Sequence, residues 1–551
     1  MTDVLAQATQ ALRTLYGTSG VSSAARRAAD TWLQEFQRQD AAWVVSDRLL
    51  ASGDQTLQFF AAKTMQRKVA FEFGRLPADA RGSLWSSLMA HFARFSSGPR
   101  TVLVQLCSTI AAFAMQTPER EDLVDELTAR FSGEAAAQRA LMTLLATLAD
   151  EVRNYRSAAS KHMRDAYTAQ LSAALPGVME YLQQAATRGA SDAAVQCDVL
   201  GCFFAWLRCC RIPPAIAAAS PLIPAAFAAL HRPATFEAGV DVITECLKCY
   251  WDVAAHAAVV AVLIPSVMQL KPAYDAAARS ADPDQIEVAR GLARVFAELG
   301  ESYVEIIVGP AEQSQGAIVA TLGECSCHPA FKVAKQTSNF WYRLQDRLVE
   351  MRRCDASGGR RTEAEAASTQ RLAAARLAQF APVACAVIRA AVHRLRYPLD
   401  YWEQSEDEAE WFEKTQRGQT VELICDICRL VGVDACVREL GGLLQQSCAE
   451  LQGSGEWRGV EAVLHALCGL RRSVPRTEAL LIPGVMALLP QLPKSPLLLC
   501  TAARFVGAYA AWLRVNPTHL TPSFTMLAQV SVLLCTVTFH TNLAHSLTRS
   551  P

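Results

Sequence analysis

Apolar residues recur at three- and four-residue steps along most of the chain, the spacing of one face of an α-helix. Between Ala24 and Phe36 the apolar set is Ala25, Ala28, Ala29, Trp32, Leu33 and Phe36, while Arg26, Arg27, Asp30 and Gln34 face away. Asp40 is placed to cap a second helix carrying Trp43, Val44, Leu49 and Leu50, because a short oxygen-bearing side chain satisfies the first free N–H groups of a helix. Ser52-Gly53-Asp54 breaks it. A third helix is predicted over Gln55–Phe73, with Leu57, Phe60, Ala61, Thr64, Met65, Lys68 and Val69 on one side, and Leu76 to Asp79 ends it. A fourth is predicted over Ser83–Phe95. The same rhythm runs on, and two helices with their turns take roughly 40 residues, the period of HEAT-like repeats. Period-two strand patterns are rare. The helices read as mostly two-faced, as in stacked pairs that bury only neighbour-facing surfaces. The fold class predicted is all-α, an α-solenoid superhelix of HEAT-like antiparallel helix pairs.

Composition supports this. About a sixth of the residues are alanine, the strongest helix former. The chain has 551 residues, half of them hydrophobic, which excludes wholesale disorder. Lysine plus arginine and aspartate plus glutamate both total 53. That balance excludes a strongly basic nucleic-acid binder. The N-terminus lacks a basic region followed by an apolar run, and the 18 cysteines are scattered, so a secreted disulfide framework is not expected. Pro213–Leu230 and Ala254–Met268 are apolar but broken by prolines, and shorter than the ~20 residues of a membrane span. The reading is a soluble intracellular protein with no membrane insertion.

Enzyme chemistry leaves local signatures, and none is found. There is no phosphate loop, no Gly-x-Gly-x-x-Gly after a strand, no Gly-x-Ser-x-Gly and no His-Glu-x-x-His. No catalytic residue, cofactor or metal is expected. Cys246 with Cys249, Cys425 with Cys428 and Cys325 with Cys327 are close in sequence. No second ligand pair follows at zinc spacing, so they read as small hydrophobes in helix interfaces. Trp32, Trp43, Trp341, Trp411 and Trp512 sit among leucines at helical spacing and read as core.

Two interruptions stand out. Cys354–Thr362 is a polar, glycine-containing loop between long helices. Residues 403–413 hold Glu403, Glu406, Asp407, Glu408, Glu410 and Glu413, flanked or punctuated by Tyr401, Trp402, Trp411 and Phe412. The acidic run reads either as a solvated loop or as a contact for a basic partner, since clustered carboxylates steer such a surface.

The segment from Ala29 to Pro77 resembles the N-terminal region of importin-β-type nuclear transport receptors. The match is carried by Trp32-Leu33, Ala42-Trp43 and Phe59-Phe60-Ala61-Ala62, with Lys68 following. Phe340 to Leu344, Arg396-Tyr397-Pro398 with Asp400 and Ser405 to Glu408, Val460 to Leu464 and Thr501 to Pro522 are similar to the transportin-SR (transportin-3) branch. The collinear matches cover about residues 4–524, and the sister branch of importin-thirteen-like receptors, with a related N-terminus, is the alternative assignment. The resemblance implies Ran-GTP bound by N-terminal repeats, cargo held inside the superhelix and released in the nucleus, FG-nucleoporins as further partners, and shuttling between cytoplasm and nucleus. For this branch it implies serine/arginine-rich splicing factors as cargo. It divides the chain into N-terminal Ran-facing repeats (1–135), middle exportin-1-like repeats (136–395), further repeats with the acidic insert 403–413 (396–524) and a divergent tail (525–551).

The second helix of each early pair is expected to line the concave side. Asp47 and Arg48, on the first such helix, and Glu119, Asp122, Asp125 and Glu126, on or before the third, are the candidate Ran contacts. Glu403, Glu406, Asp407, Glu408, Glu410 and Glu413 are candidates for Ran or a basic part of the cargo. Family members are commonly acidic, whereas this chain is neutral, and the resemblance fades after about Leu527. The arginine-rich helix that the branch uses for phosphorylated serine/arginine repeats is expected in a C-terminal half not contained in these residues. The alternative reading is a Ran-independent helical-repeat scaffold subunit, separated from a receptor by block 29–77.

Overall fold

A computed structural model describes residues 2–17, 21–120, 122–154, 157–310, 313–354 and 362–528. Among these the regular structure is helical, without strands. In chain order the first helices are α1 (Thr2–Tyr16), α2 (Ser23–Phe36), α3 (Ala41–Leu50), α4 (Gln55–Glu72), α5 (Ala78–Phe95), α6 (Arg100–Gln116), α7 (Leu123–Phe131), α8 (Ala135–Glu151), α9 (Lys161–Arg188), α10 (Ala193–Cys210), α11 (Pro214–Ala219), α12 (Leu222–Ala229) and α13 (Phe236–Cys249). Then follow α14 (Ala257–Met268), α15 (Lys271–Ala278), α16 (Pro283–Ser302), α17 (Val304–Val308), α18 (Gln313–Cys327), α19 (Phe331–Ala334), α20 (Ser338–Arg353), α21 (Glu363–Leu395), α22 (Glu406–Trp411), α23 (Gly418–Val431), α24 (Val433–Ser454), α25 (Arg458–Leu470), α26 (Leu481–Leu488), α27 (Pro496–Ala508) and α28 (Ala510–Leu513). Two compact units divide the chain, Met1–Val262 and Leu263–Pro551.

Polar side chains at the helix starts explain many boundaries. Asp54 accepts hydrogen bonds from the Thr56 and Leu57 amides and starts α4. Ser22 caps α2, Asp192 caps α10, and Thr362 with Glu365 forms a reciprocal capping box on α21. Asp40 does not act as predicted: its backbone is already helical (φ −65°, ψ −29°) and its side chain makes no cap. The fourth helix starts at Ala78 rather than Ser83, because the extended Pro77 (ψ 153°) feeds directly into it.

In the first unit, helix pairs stack so that the second members form a row, α4 on α6, α6 on α8, α8 on α10 and α10 on α13. The first members α3, α5 and α7 run beside one another, tied by contacts between their side chains. The predicted two-faced pattern is only partly observed. In α6 every residue from Thr109 to Met115 is buried, because α4, α5, α8 and α9 surround it. Lys68 is fully buried, donating to Glu72 (2.7 Å) and to the Gln39 carbonyl (3.0 Å) with Trp43 beside it.

The second unit repeats the scheme. Its second-helix row is α16, α20, α23, α25 and α27, and α18, α21 and α24 form the other. Gly300 lets α16 approach α18 and α20 closely: a Cβ there would stand 2.6 Å from both Leu322 and Phe340. Gly432 turns α23 straight into α24 at φ +89°, a backbone angle glycine adopts without steric penalty.

Among the described residues three helical stretches are long and apolar enough to cross a membrane, Ala193–Cys210, Ala257–Ala278 and Glu363–Leu395, which corrects the expectation that none would be. Pro265 lies inside α14 without ending it. α10 packs on α8, α9 and α13, and α21 on α18, α20, α23, α24 and α25, so their apolar faces serve the stack.

Candidate interaction surfaces

The residues expected to touch Ran fall on, or just before, the first helix of their pairs, not on the second. Asp47 and Arg48 lie on α3, which pairs with α4; Asp125 and Glu126 lie in the first turn of α7, which pairs with α8. Two are occupied within the chain. Asp47 accepts from Ser87 Oγ and pairs with His91 Nε2 at 2.9 Å, joining α3 to α5. Glu126 accepts from Trp85 Nε1 (3.2 Å) and from Arg120 (2.6 Å), whose guanidinium lies over the Trp85 ring at 4.2 Å. These carboxylates fasten neighbouring repeats together. Arg48, Glu119, Asp122 and Asp125 are exposed.

The second-helix row presents something else. On α4 the side opposite the buried Ala61, Met65 and Val69 carries Phe59, Lys63, Arg67 and Phe71, all exposed and each four residues after the last. Residues four apart on a helix are surface neighbours, so these side chains form one ridge with two cations between two aromatic rings. Sequence reasoning passed over it, although the four-residue period out of phase with the apolar set was readable in FFAAKTMQRKVAF.

The acidic segment is helical rather than a loop. Ser405 and Glu408 form a capping box that starts α22. Glu410 pairs with Lys414, and Glu413 accepts from the Tyr397 hydroxyl and faces Arg417 at 3.4 Å. Glu403, Glu406 and Asp407 project into solvent. Trp402 is 70% and Trp411 48% exposed, so Trp411 is not the core residue it was predicted to be. Its ring edges onto Phe331 (5.8 Å between centroids) instead. Trp341 and Trp512 are core, while Trp32 and Trp43 are half-buried.

A π-turn, Phe412–Arg417, joins this segment to α23. Five residues of α-helix rotate by about 500°, which would set the two ends about 140° apart. The wider i→i+5 turn brings them back to one side, and both Phe412 and Arg417 are buried. Nη2 of fully buried Arg417 donates to both carboxylate oxygens of Glu461 (2.7 and 2.8 Å), and Thr501 donates to the same carboxylate at 2.6 Å. Tyr397 lies under the guanidinium at 4.3 Å.

The close cysteines are packing residues. Cys246, Cys325 and Cys428 are buried and Cys249, Cys327 and Cys425 half-buried. Burial pushes the Cys249 thiol up to about 12 and Cys425 up to about 11. Residues 355–361 of the predicted polar loop and 529–551 of the predicted tail lie outside the described residues.

Residues 99–243 match the family model described as Exportin 1-like protein, and 284–360 that of the Transportin-3/Importin-13 second TPR domain. Transportin MOS14 of Arabidopsis thaliana is 30% identical over 502 residues, covering 89% of this chain and 51% of that protein. Importin-13 of Homo sapiens is 25% identical over 532 residues, covering 92% and 52%. The chain belongs to the importin-β family, in its transportin-3 branch. Members of this family are nuclear transport receptors and not enzymes. The solved structure "Importin13 cytosolic state" aligns over 86% of this chain and 54% of its own, with TM-score 0.66 and 15% identity. It shares the α-solenoid fold. The chain spans about half the length of the curated relatives it matches.

In this importin-β chain some residues of the motifs that carried the resemblance are structural. Trp341 donates to Ser326 in the core (2.8 Å), while Tyr397 and Glu461 hold Arg417.

Proposed function

We propose that this chain supplies the Ran-responsive stack of a nuclear import receptor, which takes cargo in the cytoplasm and gives it up when Ran-GTP binds in the nucleus. Serine/arginine-rich splicing factors are the proposed cargo and FG-nucleoporins the proposed contacts during shuttling through the pore. The observation that carries the reading is the α4 ridge, on a row of second helices that runs through the first unit. Phe59 and Phe71 supply apolar area, and Lys63 and Arg67 supply charge that steers and orients a protein partner. A stack in which each repeat touches only its neighbours deforms by small rotations. Two ligands that favour different deformations are then coupled reciprocally, without chemistry.

The ridge is the proposed N-terminal Ran contact. The rival surface on the first helices comprises Arg48, Glu119, Asp122 and Asp125. The paired variant Lys63→Glu/Arg67→Glu is expected to weaken Ran-GTP binding by roughly tenfold or more in titration calorimetry. Asp122→Lys/Asp125→Lys is expected to leave it within about twofold. The opposite ranking would move the contact to the first-helix side. Glu403, Glu406, Asp407, Glu408, Glu410 and Glu413 form the proposed second contact, for Ran or a basic part of the cargo. Of these, Glu403, Glu406 and Asp407 are best placed for it, because the other three serve a cap or an ion pair within the chain.

A further inference from the structure

A single residue, Gly432, joins α23 to α24. The helical hydrogen bonds run up to it and on from it. The Gly432 amide donates to the Cys428 carbonyl (2.9 Å), and the Cys436 amide donates to the Gly432 carbonyl (3.2 Å). Eight residues of unbroken helix would set Cys428 and Cys436 about 12 Å apart along the axis. At φ +89° Gly432 folds the chain instead, and the two thiols meet: Cys436 donates a hydrogen bond to the Cys428 sulfur. A Cβ on Gly432 would find nothing within 4 Å, so the glycine serves the angle of this elbow and not its packing.

Both cysteines are core residues, Cys428 1% and Cys436 0% exposed. They differ from the other buried thiols in having each other. Burial alone raises the thiols of Cys107, Cys246 and Cys325. At Cys428 the hydrogen bond from Cys436 outweighs burial, and Arg429 beside it adds to the lowering. Cys436 is raised by the same contact and by burial. The pair thus holds an electron-rich sulfur next to a sulfur that keeps its proton, the arrangement in which one cysteine attacks and its neighbour resolves.

We propose that Cys428 and Cys436 are an oxidation site, which hydrogen peroxide converts to a disulfide that ties α23 to α24 across the Gly432 elbow. The Cys428 thiolate attacks one peroxide oxygen and the O–O bond breaks. The second oxygen leaves as hydroxide and becomes water with the proton that Cys428 gave up. The Cys436 sulfur then attacks the sulfenic sulfur of Cys428, and the hydroxyl leaves with the Cys436 proton as a second water. Each sulfur gives up one electron, and the peroxide is reduced to two waters. The sulfurs already touch, so bond formation needs only a small further approach to the ~2.05 Å of a disulfide. A stack of helix pairs bends by small rotations within and between its pairs, and a covalent tie across an elbow of one residue removes one of them. A thiol reductant restores it. The inference does not depend on the transport-receptor reading.

The test treats the whole folded chain with hydrogen peroxide, blocks the remaining thiols with iodoacetamide and analyses tryptic peptides without reduction. Peptides 418–429 and 430–438, which hold Cys428 and Cys436, are expected as one linked species that dithiothreitol separates. Cys425 shares peptide 418–429, so fragment ions of the parent chain's own linked species locate the bond, and the result does not depend on any variant folding. The link is expected to survive Cys425→Ala and to be lost in Cys428→Ala. In Cys436→Ala the sulfenic acid has no resolving thiol, and dimedone is expected to label Cys428. Oxidation of the parent chain is expected to slow amide exchange on either side of Gly432 by about tenfold, with no such change in Cys436→Ala. No linked species in the folded chain, a link formed only in urea, or a link carried by Cys425 would overturn the proposal and leave the two thiols as packing residues.

Discussion

Glu461→Ala is expected to destabilise the second unit by about 3–5 kcal/mol, the usual cost of leaving one member of a buried ion pair without its partner. Arg417 and Glu461 are both fully buried, and Nη2 of the guanidinium donates to both carboxylate oxygens. With the carboxylate gone, Arg417 keeps only Glu413 at 3.4 Å, and Thr501 loses its acceptor. A loss of that size is a large part of the roughly 5–15 kcal/mol that holds an ordinary domain together. Hydrogen exchange of peptides from α23 and α25, followed by mass spectrometry, reads the effect locally. The double variant Arg417→Met/Glu461→Leu removes the charge together with its partner and is expected to recover most of the protection. A single variant whose exchange matched the parent chain would show that water reaches the pair.

The second large effect concerns acid. His465 lies one turn after Glu461 on α25, and burial, then Arg417 and Arg504, push its imidazole down to about 3 from the ordinary 6.5. The folded state therefore holds it neutral where the unfolded chain already binds a proton. For a depressed group the stability is complete above the unfolded pKa of 6.5 and is lost as pH falls toward 3. By pH 5 the loss is about 2 kcal/mol. In urea unfolding at pH 7.5 and 5.0, His465→Gln is expected to gain on the parent chain by about that amount at the lower pH. Parallel pH dependence in the two proteins would mean that the imidazole is hydrated in the fold.

The helical rhythm was readable wherever local periodicity decides the outcome. The α2 and α4 boundaries fell within a residue of the pattern, and Lys68 was placed on the buried side, where it is. The errors came where the decision is not local. Asp40 has cap chemistry, but the turn before it is already helical, so its side chain makes no cap bond. Trp411 repeats with the apolar residues of its helix, yet the π-turn that follows turns Phe412 and Arg417 inward and leaves the indole half outside. Arg417 and Glu461 are 44 residues apart. Such neighbours are set by how repeats stack, which periodicity does not encode. The proposed Ran contacts show the same limit: their charge was legible, but which helix of a pair they occupied depended on whether α3 pairs with α2 or α4, and it pairs with α4.

The central claim is that this chain answers to the nucleotide state of Ran. The most direct measurement immobilises the whole chain and compares retention of Ran locked in its GTP form with Ran-GDP at equal concentration. The account expects strong retention of the GTP form, little of the GDP form, and loss of the difference in Lys63→Glu/Arg67→Glu. Equal or absent retention of both would contradict it and favour a helical-repeat scaffold that works without Ran.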